Sequence, residues 1–170
     1  MDVKQRLVIA LFGPQGSGKG TQGAMLTEKY GISSFSTGAA MRREIELETE
    51  YGRQLKPILE AGKLAPPELF EAITRSALAR PEYASGVILD GLPRSQSQLT
   101  LVEEVAPVMV AIEFQVSDDE VVARLSNRRT CSVCGAIYNM ISQPPPKEGT
   151  CVCGGVLIQR GDDQPEAIRQ

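Results

Sequence analysis

The stretch Gly13-Pro14-Gln15-Gly16-Ser17-Gly18-Lys19-Gly20-Thr21 constrains this chain more than any other. It follows the apolar run Leu7–Phe12 and leads into a helical pattern over 20–30. Gly13, Gly18, Lys19 and Thr21 approach the spacing G-x-x-x-x-G-K-[ST], with Gly20 slipped between the lysine and the threonine. Glycines let successive backbone N–H groups turn inward on a polyphosphate, and a helix N-terminus adds partial positive charge. In such a loop Lys19 bridges the phosphates between which a phosphoryl group moves, and the Thr21 hydroxyl is a ligand for Mg²⁺. A glycine-rich turn with an exposed lysine is the alternative; the strand before and the helix after argue against it.

Length and composition narrow the partners. At 170 residues the chain suits one domain with small insertions. A net charge of −3 argues against a broad nucleic-acid-binding face. Twelve arginines against six lysines favour a phosphorylated ligand, because guanidinium is the better planar fork for phosphate oxygens. With no histidine, imidazole acid–base chemistry and histidine metal ligands are excluded. Residues 1–6 are polar and no run reaches membrane-spanning length, so a cytoplasmic protein without a membrane partner is expected.

The pattern alternates strand and helix. Leu7–Phe12 reads as a strand buried on both faces, and 33–36 as a second, short one. From 39 to 79 the pattern turns helical in three segments, the third opened by Pro66-Pro67. Strands follow at 87–89 and 108–114, and helices at 95–104 and 118–127, the last starting with acidic residues. This order predicts an α/β domain with a parallel sheet and right-handed crossovers.

Two further stretches carry chemistry. The apolar strand at 87–89 ends in Asp90-Gly91-Leu92-Pro93-Arg94. An aspartate at the C-terminal edge of a parallel strand places a carboxylate beside the phosphate loop, where Mg²⁺ needs an outer partner. Taken alone, Asp90 is a turn or cap residue. The four cysteines fall in one region: Cys131-x₂-Cys134, then sixteen residues, then Cys151-x-Cys153. In a cytoplasmic chain this predicts a metal site rather than disulfides. Four thiolates make a closed tetrahedral zinc site with a structural role.

Ser36-Thr37-Gly38, Arg42, Lys63-Leu64, Asp90-Gly91-Leu92-Pro93-Arg94, Gln98 and Arg160-Gly161-Asp162-Asp163 stand in the order and spacing of adenylate kinases. The chain resembles that family over essentially its whole length, and most of all the bacterial long-lid members with a zinc-binding lid. The resemblance implies a P-loop NTPase-type parallel sheet with flanking helices, a helical nucleoside-monophosphate-binding insertion and a zinc-ribbon-like lid. The implied division is a core of 1–37 and 80–128, an AMP-binding insertion of 38–79, a lid of 129–160, and a helix starting within 161–170 that returns to the core.

By the same resemblance, Gly16, Ser17, Gly18, Lys19, Gly20 and Thr21 hold the ATP phosphates, with Arg124 and Arg128 closing over them and Ile137 and Tyr138 on the ATP side of the lid. Thr37, Arg42, Lys63, Leu64, Ala65, Gly91, Leu92, Pro93, Arg94 and Gln98 form the AMP site. There Arg42 and Arg94 hold the phosphate and Gln98 reads the adenine edge. Arg160 reaches in from the lid, and Asp162 and Asp163 sit at its second hinge. Lys19, Asp90, Arg94, Arg124, Arg128 and Arg160 are the expected catalytic set, with Mg²⁺ accompanying ATP and Zn²⁺ on Cys131, Cys134, Cys151 and Cys153. Read without the family, Arg124 and Arg128 lie four apart and share a helix face as a solvated stripe. The implied partners are ATP, AMP and ADP, and the implied state is a monomer.

The implied reaction is reversible phosphoryl transfer from MgATP to AMP, giving two ADP. Its loose transition state asks for alignment and charge neutralisation rather than a general base, which agrees with the lack of histidine. Several positions depart from the family pattern. Ala39 stands where aspartate is usual, Leu92 where phenylalanine is, and a single residue separates the last two cysteines where two are usual. The chain also ends before the family's closing elements, so a C-terminal truncation is expected. Alternatives are a kinase for another nucleoside monophosphate and a non-catalytic nucleotide- and zinc-binding remnant.

Overall fold

The computed structural model describes residues 6–159 and Asp163. These fall into two compact units: the described parts of Met1–Gly13 with Gly18–Phe114, and Pro14–Ser17 with the described parts of Gln115–Gln170.

The first unit is built on a four-stranded parallel sheet of order β2-β3-β1-β4. Its strands are β1 (Leu7–Phe12), β2 (Ser33–Phe35), β3 (Gly86–Asp90) and β4 (Val110–Glu113). Central strands β1 and β3 are apolar at successive positions because both faces are covered. Val8, Ala10, Val87 and Leu89 join Phe35, Leu55, Ile73, Leu78, Leu92 and Val102 in the main core. Ile9, Leu11 and Ile88 turn the other way, into a smaller cluster with Ile32 that Leu26 of α1 (Lys19–Tyr30) covers. The register pairs Leu11 with Asp90, so the end of β1 and the aspartate lie side by side at the C-terminal edge.

Three helices fill the segment between β2 and β3: α2 (Thr37–Glu46), α3 (Glu50–Glu60) and α4 (Pro67–Leu78). The expected strand at 33–36 stops at Phe35, and the helix begins at Thr37 rather than 39, because Ser36 is the cap whose hydroxyl accepts the Ala39 N–H. Thr49 caps α3 in the same way, and Pro67 opens α4. The expected helix at 95–104 is α5 (Gln96–Val105), capped by Ser95. The strand expected at 108–114 contracts to β4, although the N–H groups of Met109 and Phe114 still bond to Val8 O and Phe12 O. Among the described residues β4 is an edge strand, with Val110 45% exposed.

In the second unit, α6 (Asp118–Ser126) is capped by Ser117 and carries Asp118, Asp119 and Glu120 in its first turn, where they face the positive end of the helix dipole. An antiparallel sheet of order β6-β5-β7 follows, made of β5 (Arg128–Cys131), β6 (Ile137–Asn139) and β7 (Leu157–Ile158). Among the described residues no helix is long and apolar enough to cross a membrane.

Candidate functional site

The entrance to α1 differs from those of α2, α3, α5 and α6, each of which has a serine or threonine cap. Its cap is Gly18, with φ at 100°, no side-chain hydrogen bond and no acidic residue in the first turn. The helix N-terminus thus presents its donors and dipole with no side-chain cap from Gly18 and no acidic residue in its own first turn. Lys19 is buried, and its ammonium donates to Gly13 O at 2.7 Å. Asp90 ends β3, and a Cβ built on Gly20 would stand 3.9 Å from its Oδ2. Lysine, helix N-terminus and carboxylate are therefore grouped as the sequence spacing predicts. Thr21, one turn in, is exposed.

The loop after β3 is fixed by the Gly91 N–H donating to Leu11 O at 3.1 Å, with Gly91 at φ 68°. The Arg94 side chain folds back so that Nε donates to Gly91 O at 2.6 Å, and Gln98 Oε1 accepts the Arg94 N–H at 2.8 Å. The peptide between Leu92 and Pro93 is cis. Leu92 is wholly buried in the main core, so only its backbone is available to a ligand. On α2, the Arg42 guanidinium lies beside Gly38, just after Thr37. Lys63 and Leu64 are exposed between α3 and α4, Leu64 at 92%, while Ala65 packs against the main core.

Within the second unit, residues 14–17 of the phosphate loop are held by α6. A Cβ at Gly16, whose φ is 78°, would lie 2.8 Å from Leu125 Cγ, so glycine lets the loop rest on that buried leucine. Arg124 donates to Ser17 O at 3.2 Å and to Glu120 Oε1 at 2.9 Å. Arg128 does not share its helix face, because α6 ends at Ser126 and Arg128 opens β5. Instead its Nε donates to Asp163 Oδ2 at 2.8 Å in an ion pair that leaves 14% of the arginine side chain and none of the aspartate exposed. Gln15 donates to the same carboxylate at 3.4 Å. Neither the Asp163–Arg128–Gln15 cluster nor Leu125 is signalled by local spacing. Arg160, Gly161 and Asp162, and all of the expected returning helix but Asp163, lie outside the described residues.

The four cysteines converge. Sγ–Sγ distances are 3.5 Å for Cys131–Cys153, 3.6 Å for Cys134–Cys151 and 3.4 Å for Cys134–Cys153, and all four sulfurs lie within 4.8 Å of one another. A tetrahedron with Zn–S bonds of about 2.3 Å has edges of about 3.8 Å, so the donor set fits that ion. A Cβ at Gly155 would lie 2.5 Å from Cys131 Sγ, so glycine there lets the second knuckle close on the first. Cys131 is shifted toward the thiolate, first by the Cys134 N–H. The Tyr138 hydroxyl, ahead of the Cys153 N–H, lowers Cys151 to about 6. For Cys134 the largest single influence, the Ala136 N–H, favours the thiolate, but hydrogen bonds with Cys153, Cys131 and Cys151 outweigh it and push the thiol up to about 12. Ile137 is exposed, whereas the Tyr138 hydroxyl lies 3.3 Å from Cys151 Sγ.

A parallel sheet whose first strand runs into a glycine-rich loop, a lysine at the following helix N-terminus and an aspartate on the neighbouring strand end define a P-loop nucleotide-binding phosphotransferase. The adenylate kinase family model matches residues 11–170. The adenylate kinase of Thermosipho melanesiensis is 44% identical over 168 residues, covering 95% of this chain and 78% of the relative. That of Archaeoglobus fulgidus is 39% identical over 168 residues, covering 95% and 77%. That of Lysinibacillus sphaericus is 43% identical over 166 residues, covering 94% and 76%. The chain belongs to the adenylate kinase family. It is a nucleoside monophosphate kinase, converting ATP and AMP into two ADP.

Proposed function

We propose that this transfer is carried by the residues gathered at the two ends of the phosphate loop. The carrying observation is the glycine cap at the start of α1, with buried Lys19 and with Asp90 beside Gly20. Gly18, Lys19, Gly20 and Thr21 take the transferred phosphate and its neighbour, and Lys19 follows the charge as it moves between them. Mg²⁺ enters with ATP and supplies charge neutralisation at the phosphate oxygens; Thr21 and Asp90 would hold it. In the second unit, Gly16 and Ser17 hold the ATP polyphosphate together with Arg124, Arg128 and Arg160. Side chains rather than a general base do the work, by fixing the reactants in line and offsetting charge.

Residues 38–79 act as the AMP-binding insertion. Arg42 and Arg94 take the AMP phosphate, with Thr37, Lys63, Leu64, Ala65, Gly91 and Pro93 lining the site. Gln98 has its Oε1 engaged by the Arg94 N–H and so offers amide N–H to the base. Adenine presents an acceptor at N1 where guanine carries N–H, and this supports AMP over GMP. We assign Zn²⁺ to the four cysteines as a structural ion that fixes the sheet of the second unit. A cytoplasmic location suits four thiols kept reduced, and we take the working form to be a monomer.

ADP formation with AMP, CMP, UMP and GMP as acceptors tests the acceptor; AMP should be preferred. Lys19→Met should lower kcat by about 10²–10³-fold with an unchanged circular dichroism spectrum. Retention of most turnover would refute the assigned role of Lys19.

A further inference from the structure

The two arms of the cysteine cluster are not equivalent. In the first, Cys131 Sγ accepts two backbone N–H bonds, from Val133 at 3.4 Å and Cys134 at 3.5 Å, two and three residues on. Such bonds orient a thiolate and offset its charge, which tunes the metal it holds. The second arm is one residue shorter. Of that arm's backbone N–H groups, the one at Cys153, two residues on, draws Cys151 toward the thiolate. Three residues on, the Gly154 N–H is spent on Cys151 O at 2.8 Å, so it does not serve the sulfur as the Cys134 N–H does in the first arm.

The Tyr138 hydroxyl stands where that donor is lacking, 3.3 Å from Cys151 Sγ. The Val152 N–H donates to the phenol oxygen at 3.4 Å. A metal-bound sulfur carries no proton, so in the loaded site the phenol must be the donor. With its oxygen taking the Val152 N–H, its own proton is directed to sulfur. Tyr138 reaches this point because it pairs with Arg129 in β5, on the strand face shared with Cys131, whereas Ile137 pairs with Thr130 on the other.

We propose that Tyr138 is a positioning residue of the metal site: its hydroxyl replaces the backbone N–H that the shortened Cys151-Val152-Cys153 arm lacks. This rests on the reading of the four cysteines as a metal site. It gives the residue a role separate from any contact of its strand with ATP.

The test is Zn²⁺ affinity of the full chain by competition with a chromophoric chelator, with the sulfur-to-metal charge-transfer band of the Co²⁺-substituted protein as a second readout. Tyr138→Phe, which keeps the ring, should retain one ion per chain, bind it about 10–100-fold more weakly and shift the band to lower energy. Inserting one residue after Val152 restores the longer arm, and in that background Tyr138→Phe should cost less than about threefold. Replacing tyrosine by a more acidic fluorotyrosine keeps the fold and should shift the band to higher energy, which covers the case of a phenylalanine variant that does not fold. Unchanged affinity and an unchanged band in Tyr138→Phe, a penalty equally large in the lengthened arm, or no shift with fluorotyrosine would each overturn the proposal. A parent chain that binds no ion with its four thiols reduced would instead overturn the metal-site reading, and the role of Tyr138 with it.

Discussion

Replacing Gly52 by alanine sets two effects of opposite sign against each other. Gly52 lies in the first turn of α3 and is buried. Alanine is the better helix former by about 0.8–1 kcal/mol, so the local rule predicts stabilisation. A Cβ at this position, however, would lie 1.9 Å from Glu44 O, 2.4 Å from the Glu44 carbonyl carbon and 2.8 Å from Ile45 N. These are backbone atoms of α2 and cannot rotate away. The Glu44 carbonyl also accepts the Thr49 N–H at 3.1 Å, while the buried Glu44 carboxylate is held by Arg80 at 2.8 Å and the Thr49 hydroxyl at 2.6 Å. Restoring a separation of 3.0 Å, the limit for real Cβ contacts, requires α2 and α3 to part by at least about 1.1 Å. Overpacking costs about 1–3 kcal/mol, and its upper end applies where the polar hub opens with the gap. Less the propensity gain, the net loss is about 2 kcal/mol, a fall in Tm of about 4–8 °C for a chain of this size. Because α2 carries Thr37 and Arg42, KM for AMP should rise more than kcat falls. Thermal unfolding followed by circular dichroism, beside steady-state kinetics, measures both. Gly62→Ala is the control: its Cβ meets nothing within 4 Å, and only its φ of +70° is strained. A Gly52→Ala protein that melts at or above the parent would refute the packing argument.

Arg128→Ala should destabilise the protein by about 3–5 kcal/mol in urea titration, because it leaves the fully buried Asp163 carboxylate without its ion-pair partner; a loss below about 1 kcal/mol would mean that water reaches the carboxylate. Removal of metal by a strong chelator should lower Tm, with hydrogen exchange rising first over 128–159. An unchanged melting curve on protein shown to be metal-free would exclude a stapling role. Metal uptake at pH 7 should release protons, since Cys134 is pushed up to about 12 and must give up its proton to bind. Affinity therefore rises with pH, and calorimetry in two buffers of different ionisation enthalpy should return different apparent heats. Identical heats would show that the thiols are already deprotonated.

What the sequence determined by itself is what contiguous residues can specify. The phosphate loop, the helix after it, Asp90 at a strand end and the pairing of two cysteine arms were legible because each depends on spacing within one short segment. Ser36 as the cap of α2 was nearly so: the strand and helix were expected on either side, and the cap moved their boundary. Tertiary structure alone decided which distant residues meet. An apolar run such as 108–114 carries the same periodicity whether its outer edge is paired or open, and among the described residues Val110 stands on the outer strand of the sheet. Arg124 and Arg128 look like neighbours on one helix until the helix ends between them and sends one to Ser17 and the other to Asp163. In the sequence the second cysteine arm shows only its shorter spacing; a tyrosine of β6, thirteen residues before Cys151, lies against it. Spacing fixes dihedral preferences and local donors, but burial, ion pairing and hydrogen bonding to sulfur depend on separations that exist only once the elements have packed.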